Sequence, residues 1–254
     1  MAFNVPADSY DRLMGRYSVQ LVPQMLELAG VRAGQAALDV GSGPGALTTG
    51  LVGALGADHV VAVDPSAPFV AANRQRNPGV EVHQGSAEEL PFDSERFDVA
   101  LAQLVVHFMS DPVAGLREMA RVVRPGGVVA ACVWDHGGGR SPVAGFWLVA
   151  RTLDPAVHDE SDFNGAREGH LAELFAAAGL GDVEDTALTA TREYDDFESW
   201  WEPFTFGVGP AGAYLLSRDE RGRAALHDGC RELLGPPPFT IAAKAWAARG
   251  VSAG

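Results

Sequence analysis

The chain has 254 residues, 47% of them hydrophobic and 20% charged, which suits a globular protein able to bury a substantial core in one α/β domain. With 33 acidic against 19 basic side chains and a formal charge of −14, its surface repels a phosphate backbone, so no nucleic-acid partner is expected. No run is apolar and uncharged enough to span a membrane, and Met1–Asp11 has neither a basic leader nor an apolar stretch, so a cytoplasmic chain is expected.

Tyr10–Leu28 reads as a first helix, with Leu21, Met25 and Leu28 on one side. From Ala36 to Val133 short Val-rich runs alternate with helical spacing. Ala36–Val40, Val60–Val63, Val80–Gln84, Val99–Gln103 and Val128–Val133 read as strands. Ala46–Leu55, Pro68–Arg76 and Pro112–Val123 read as the helices between them, the last with Leu116, Met119, Ala120 and Val123 in one stripe. Such alternation implies a parallel sheet covered on both faces. After a glycine-rich loop at Asp135–Ser141, helices are expected at Val143–Leu153 and Glu168–Ala178, a sixth strand at Asp182–Ala190 and a last one at Phe239–Ala247. Between these two strands lie an aromatic cluster, an arginine-rich helix and the triple proline Pro236–Pro238. Neither repeats nor a low-complexity linker divide the chain.

The segment Leu38-Asp39-Val40-Gly41-Ser42-Gly43-Pro44-Gly45 follows the first strand and opens a helix. Glycines there allow a tight turn and let a ligand lie on the backbone, while the helix start offers unpaired N–H groups. The turn also fits the dinucleotide pattern through Gly41, Gly43 and Ala46, and Asp64, closing the second strand, would accept ribose hydroxyls in either case. An NAD(P)-dependent oxidoreductase is therefore one reading. Asp39 favours the other, since a carboxylate two residues before Gly41 complements an ammonium or sulfonium and opposes a pyrophosphate. Gln84–Phe92 after the third strand and Arg121–Gly127 before the fifth point the same way.

These residues carry a resemblance. The stretch from about Tyr10 to Trp134 resembles class I S-adenosylmethionine (SAM)-dependent methyltransferases of the ubiquinone/menaquinone-biosynthesis type. The matching pieces are Leu38–Gly45, Val63-Asp64-Pro65-Ser66, Gly85–Phe92, Phe97-Asp98-Val99 with Gln103, and Arg124-Pro125-Gly126-Gly127, in family order and spacing. The resemblance implies a Rossmann-like, seven-stranded, mostly parallel sheet of order 3-2-1-4-5-7-6, with SAM across the carboxyl ends of the first four strands. It further implies that Asp39, Gly41, Ser42 and Gly43 cradle the methionyl part and that Asp64, with Pro65 and Ser66, holds the ribose. Ser86 and Ala87 would border the adenine. Gln103, Leu104 and His107 would line the floor near the methyl group, and Tyr10 and Arg16 would belong to a helix closing over the cofactor. Where the family usually has an aspartate, this chain has Ser86, a weaker acceptor for the adenine amino group.

The expectation is one domain over 1–254, with an N-terminal cap helix at about 8–28 and a helical, aromatic insertion at about 191–238. A methyl group would pass to an O, N or C atom of a small-molecule acceptor, with His107 as candidate general base. Trp200, Trp201, Phe204 and Phe206 would form a substrate lid over the site, set against plain core packing as the other use of such a cluster. The remaining histidines, His136 among them, lack ligand spacing and read as core or solvated, with no metal; Cys132 and Cys230 read as reduced and partly buried. The oligomeric expectation is monomer or homodimer. A protein that binds SAM without catalysis is the second rival to the enzyme reading.

Overall fold

The computed structural model of the chain describes residues 7–253, so Met1–Pro6, part of the stretch searched for a leader, lie outside the described residues. Seven strands form one sheet in the order β3-β2-β1-β4-β5-β7-β6. They are β1 Ala37–Val40, β2 Val60–Asp64, β3 Glu81–Gln84, β4 Phe97–Gln103, β5 Val123–Trp134, β6 Gly181–Tyr194 and β7 Phe239–Val251. Pairings are parallel from β3 to β5, while β7 runs antiparallel to both β5 and β6. The order is the one expected. Strands β1 and β2 bury every residue because helices cover both faces, which is why Ala37–Val40 and Val60–Asp64 read as continuous rather than alternating apolar runs.

Two apolar cores lie on opposite faces of the sheet. One joins Leu21 and Met25 of the N-terminal helix to Leu51, Trp134, Phe146 and Phe204. The other joins Leu116 and Met119 to Phe97, Leu171 and Phe175. Helices α3 (Ala46–Leu55), α4 (Ala67–Arg76) and α5 (Pro112–Val122) cross over between the parallel strands. Ser66 and Asp111 cap α4 and α5, each accepting from a backbone N–H three residues on, with a proline near the first turn. Full burial of Leu116 and Met119, both 0% exposed, stabilises the sheet–helix contact by about 1.5–3 kcal/mol each.

The N-terminal cap comprises α1 (Ala7–Tyr10), a π-helical turn (Asp11–Gly15) and α2 (Arg16–Ala29), one turn longer at its start than Tyr10–Leu28. It docks along the outer edge of β6. Gln24 exchanges hydrogen bonds with Thr189, donating at 2.9 Å and accepting at 3.1 Å, and Gln20 accepts from the Thr191 N–H at 3.0 Å. Side-chain amides thus satisfy backbone groups that an edge strand would leave open to pairing. Deeper in, the hydroxyls of Tyr17 and Tyr194 share a buried hydrogen bond of 2.7 Å.

Two further boundaries differ from expectation. Arg124–Gly127 is not a turn ahead of β5 but an irregular stretch within it, bridging the register jump from Phe97↔Val123 to Val99↔Val128. Strand β6 continues to Tyr194, so the insertion starts after it rather than at 191. Its helices are α8 (Phe197–Trp201), α9 (Gly209–Ser217) and α10 (Glu220–Leu234). Helices α6 (Ala144–Leu153) and α7 (His170–Ala177) follow β5, and α10 packs against α6 to complete the first core.

Candidate active site

The glycine turn leaves β1 at Val40 and is stitched to β2. The Gly41 and Ser42 N–H groups donate to the Val63 carbonyl at 2.8 and 3.0 Å, and Gly43 N–H donates to the Asp64 carboxylate at 2.8 Å. The second oxygen of Asp64 accepts from the Ser66 N–H at 2.8 Å. Gly41 has φ +67°, and a Cβ there would stand 2.4 Å from a Val105 methyl, so both conformation and space require glycine. Gly43, at φ +53°, has nothing within 4 Å of where a Cβ would be, so its backbone faces open space. Behind the turn stands a polar brace that sequence reading missed. Asn73 donates to Ser42 Oγ and Thr48 Oγ1 at 3.0 and 2.9 Å, and Asn77 donates to Asn73 at 2.7 Å. Both asparagines sit on or just after α4, where spacing alone reads as helix surface.

A cleft of about 1340 Å³ opens in front of this turn, at the carboxyl ends of the parallel strands. Its lining includes Tyr10, Gly41, Gly43, Asp64, Pro65, Ser86, Ala87, Gln103 and Leu104, nine of the residues singled out from sequence. Asp39 and Ser42 line a small recess below, together with Ser18 and Gln103. Asp39 is buried and accepts from Thr48 Oγ1 at 2.6 Å; burial pushes its carboxyl up to about 7, against the pull of that hydrogen bond. Burial likewise raises Asp64 above the ordinary carboxylate range. Ser66 caps α4 without joining the lining.

The cleft also holds residues the sequence reading did not name: Phe69, Glu88, Val105, Phe108, Met109, Ser110 and Asp111. Glu88 is the informative one. Ser86 donates its hydroxyl to Glu88, whose other oxygen accepts from the Ser110 N–H at 2.8 Å. Burial works to raise the Glu88 carboxyl, but the Ser86, Ser110 and Asp111 hydrogen bonds prevail and lower it. Leu104 adopts φ +63°, a left-handed conformation unusual for a non-glycine residue, and strain of this kind clusters at functional sites.

Beyond Leu104 lies a second cavity of about 440 Å³ that shares Tyr10, Leu104 and Phe108 with the cleft. His107 lines this cavity and not the cleft. It is buried, with its ring 3.9 Å from that of Phe108 and 6.0 Å from that of Phe163, and burial, helped by His136, holds the imidazole well below its usual pKa. His136 and Glu160 line the same wall, and Val208, Gly209, Pro210 and Ala211 close the far side.

The structure does not bring the remaining candidates together. Arg16 points away from the cleft, donating to the Ser199 carbonyl at 3.0 Å and lying over the Tyr194 ring. Trp200, Trp201 and Phe204 are buried in the first core, where the Phe146 and Phe204 rings stack at 4.9 Å and those of Phe197 and Trp201 at 6.0 Å. Phe206 packs against that core with Arg12 over its ring. None of the four lines the cleft or the second cavity; the insertion reaches the cavity through 208–211 instead.

The donor set fits SAM. Three carboxylates, Asp39, Asp64 and Glu88, suit an ammonium, a ribose and an adenine amino group, and the buried Gln103 Oε1 has no hydrogen-bond partner among the described residues. Residues 38–131 match the family described as methyltransferase domain. An uncharacterized methyltransferase of Mycobacterium tuberculosis (strain H37Rv) is 36% identical over 135 residues, which are 53% of this chain and 52% of that protein. The demethylmenaquinone methyltransferase of Clavibacter sepedonicus is 29% identical over 209 residues, 74% of this chain and 84% of that one. The chain spans about half the length of several curated relatives it matches. The crystal structure of the YcgJ protein from Bacillus subtilis shares the fold, with a TM-score of 0.59 at 22% identity over 91% of this chain and 97% of that one. With its sheet order, its glycine turn, the methyltransferase-domain match over residues 38–131 and these relatives, the chain is similar to the class I SAM-dependent methyltransferases of the ubiquinone/menaquinone-biosynthesis type.

Proposed function

We propose that the chain catalyses SAM-dependent methyl transfer to a small-molecule acceptor. The single observation that carries this reading is the pair of adjoining cavities at the carboxyl end of the sheet. One is lined by glycine backbone and carboxylates, the other is largely apolar, and they share Tyr10, Leu104 and Phe108. When bound, SAM supplies a methyl group activated by the positive sulfur.

In this reading Asp39 and the turn from Gly41 to Gly43 receive the methionyl end, and Asp64 holds the ribose with the lone pairs left after Gly43 and Ser66. Glu88 takes the part left open by Ser86: the serine donates to it, and its carboxylate lines the cleft as acceptor for the adenine amino group. The second cavity holds the acceptor, and a relative named for demethylmenaquinone supports a flat, apolar one. His107, kept neutral by burial, is free to take a proton from that acceptor at its imidazole. Alignment of the acceptor and exclusion of water by the cap supply the rest of the rate.

Calorimetric titration with SAM, S-adenosylhomocysteine, NAD and NADP tests the proposal. Saturable binding of the first two alone is the expected result, followed by transfer of labelled methyl to one member of an acceptor panel. Binding of a nicotinamide cofactor alone would sink the reading, and tight SAM binding without transfer to any acceptor would favour a non-catalytic role.

A further inference from the structure

The second cavity has a polar corner that the methyl-transfer reading leaves unused. The His136 side chain is 2% exposed, and neither of its ring nitrogens has a hydrogen-bond partner among the described residues. Its Nε2 lies 3.8 Å from Glu160 Oε1, beyond a hydrogen bond, while the other Glu160 oxygen is held by the Trp147 indole N–H at 2.7 Å. The His107 ring lies 5.8 Å from that of His136, and its Nδ1 is also buried without a partner. Three buried nitrogens in one wall therefore lack partners, where buried polar groups are almost always satisfied. The rest of the wall, including Leu13, Met14, Trp134 and Val208, is apolar.

We propose that this cavity is built to hold a hydroxyl group carried on an apolar, planar body, and that His136, backed by Glu160, is the residue that holds it. The proposal rests on reading the neighbouring cleft as the cofactor's. A ring nitrogen of a neutral imidazole is either a donor or an acceptor, and a hydroxyl can be both, so one such group answers the cavity-facing nitrogen of His136 in either tautomer. Burial pulls His136 down to about 4 against the opposing pull of Asp159 and Asp135, and it raises Glu160 to about 7. The corner is therefore neutral or only partly charged near pH 7, which favours a neutral hydroxyl over a cationic amine. Asp159 is paired with Arg151 and Asp135 with Arg140, so neither is left to attract a cation. Glu160, pinned by Trp147, stands 3.8 Å from the imidazole and stabilises it should it take a proton. His136 is thus a binding residue for the acceptor, distinct from the floor that meets the cofactor.

The test uses three probes of one shape, p-cresol, toluene and p-toluidine, titrated by ligand-observed NMR into the full chain saturated with S-adenosylhomocysteine. The expected result is p-cresol binding at least fivefold more tightly than toluene. His136→Leu should bring the two within twofold of each other and leave toluene and S-adenosylhomocysteine binding unchanged. Glu160→Gln should reduce the preference and keep the melting temperature. Equal binding of p-cresol and toluene by the native chain overturns the proposal, as does tighter binding of p-toluidine, or a cresol preference that persists in His136→Leu. If His136→Leu does not fold, the native comparison and Glu160→Gln still decide it. S-adenosylhomocysteine is titrated into the native chain first, and the probe series is repeated without it. Failure of cofactor binding then counts against the function proposed above, whereas the cresol–toluene comparison alone decides the hydroxyl site.

Discussion

The two cavities are built in opposite ways. The cleft draws its defining groups from short contiguous runs, 39–43, 64–65, 86–88 and 103–105, each at the end of a parallel strand. The second cavity is gathered from single residues scattered from Tyr10 through His107, His136 and Glu160 to Ala211. A ligand shared by a whole family can be served by backbone turns that recur in sequence. In the proposed reading the acceptor is met by side chains from the cap, from the loops after β4 and β5, and from the insertion. The first region thus announces its chemistry locally, and the second only when folded.

That contrast can be broken at four points. The largest effect is expected in the insertion: Trp201→Ala removes a buried ring stacked on Phe197 and should cost about 3–5 kcal/mol of stability, read by denaturant unfolding. Acceptor KM should hardly change in the folded fraction; a large rise in KM at unchanged stability would restore the lid role. Next, Asp64→Ala should weaken S-adenosylhomocysteine about a hundredfold, roughly 2.8 kcal/mol by titration, and leave p-cresol binding intact. Loss of both ligands together would mean that the two regions are not separable.

The glycines give a smaller, paired effect. Gly41→Ala meets Val105 as well as an unfavourable φ and should destabilise the chain by about 2–3 kcal/mol, whereas Gly43→Ala faces open space and should cost about 1 kcal/mol. Thermal melts rank them, and equal losses would contradict the geometry of the turn. The smallest effect is a pH dependence. Asp39 has its folded pKa raised to about 7, so the ligand-free protein loses stability as pH rises from the ordinary carboxyl range through 7. In the proposed reading ionised Asp39 pairs with the ligand's ammonium, so S-adenosylhomocysteine affinity should rise up to about tenfold from pH 6 to pH 8 and flatten in Asp39→Asn. A slope unchanged in that variant would assign the titration elsewhere.

Much of the fold was legible because a doubly covered parallel sheet writes itself as Val-rich runs between helical stripes. The candidate cofactor residues were legible because Asp39, Gly41, Gly43 and Asp64 stand at fixed places at the ends of two of those runs. Glu88 went unnamed because a carboxylate in a polar loop reads as solvated until Ser86 and Ser110 are seen to bind it. His136 and Glu160 were invisible for a different reason: 24 residues separate two side chains that only the loops after β5 bring together. The aromatic cluster misled in the other direction. Its composition suits a lid, but the rings of Trp200, Trp201 and Phe204 pack with those of Phe146 and Phe197 in the first core, and α6 and α10 supply the walls for that. Arg16 was placed by the resemblance, whereas the helix turns it away from Tyr10, so that it faces Ser199 while Tyr10 faces the cleft.

The most direct measurement is a crystal structure of the chain with S-adenosylhomocysteine. The account requires the ribose at Asp64, the adenine beside Ala87 and Glu88, and the sulfur against the wall of Tyr10 and Leu104, looking into the cavity of His107 and His136. A ligand bound elsewhere, or one whose sulfur faces away from that wall, would contradict it.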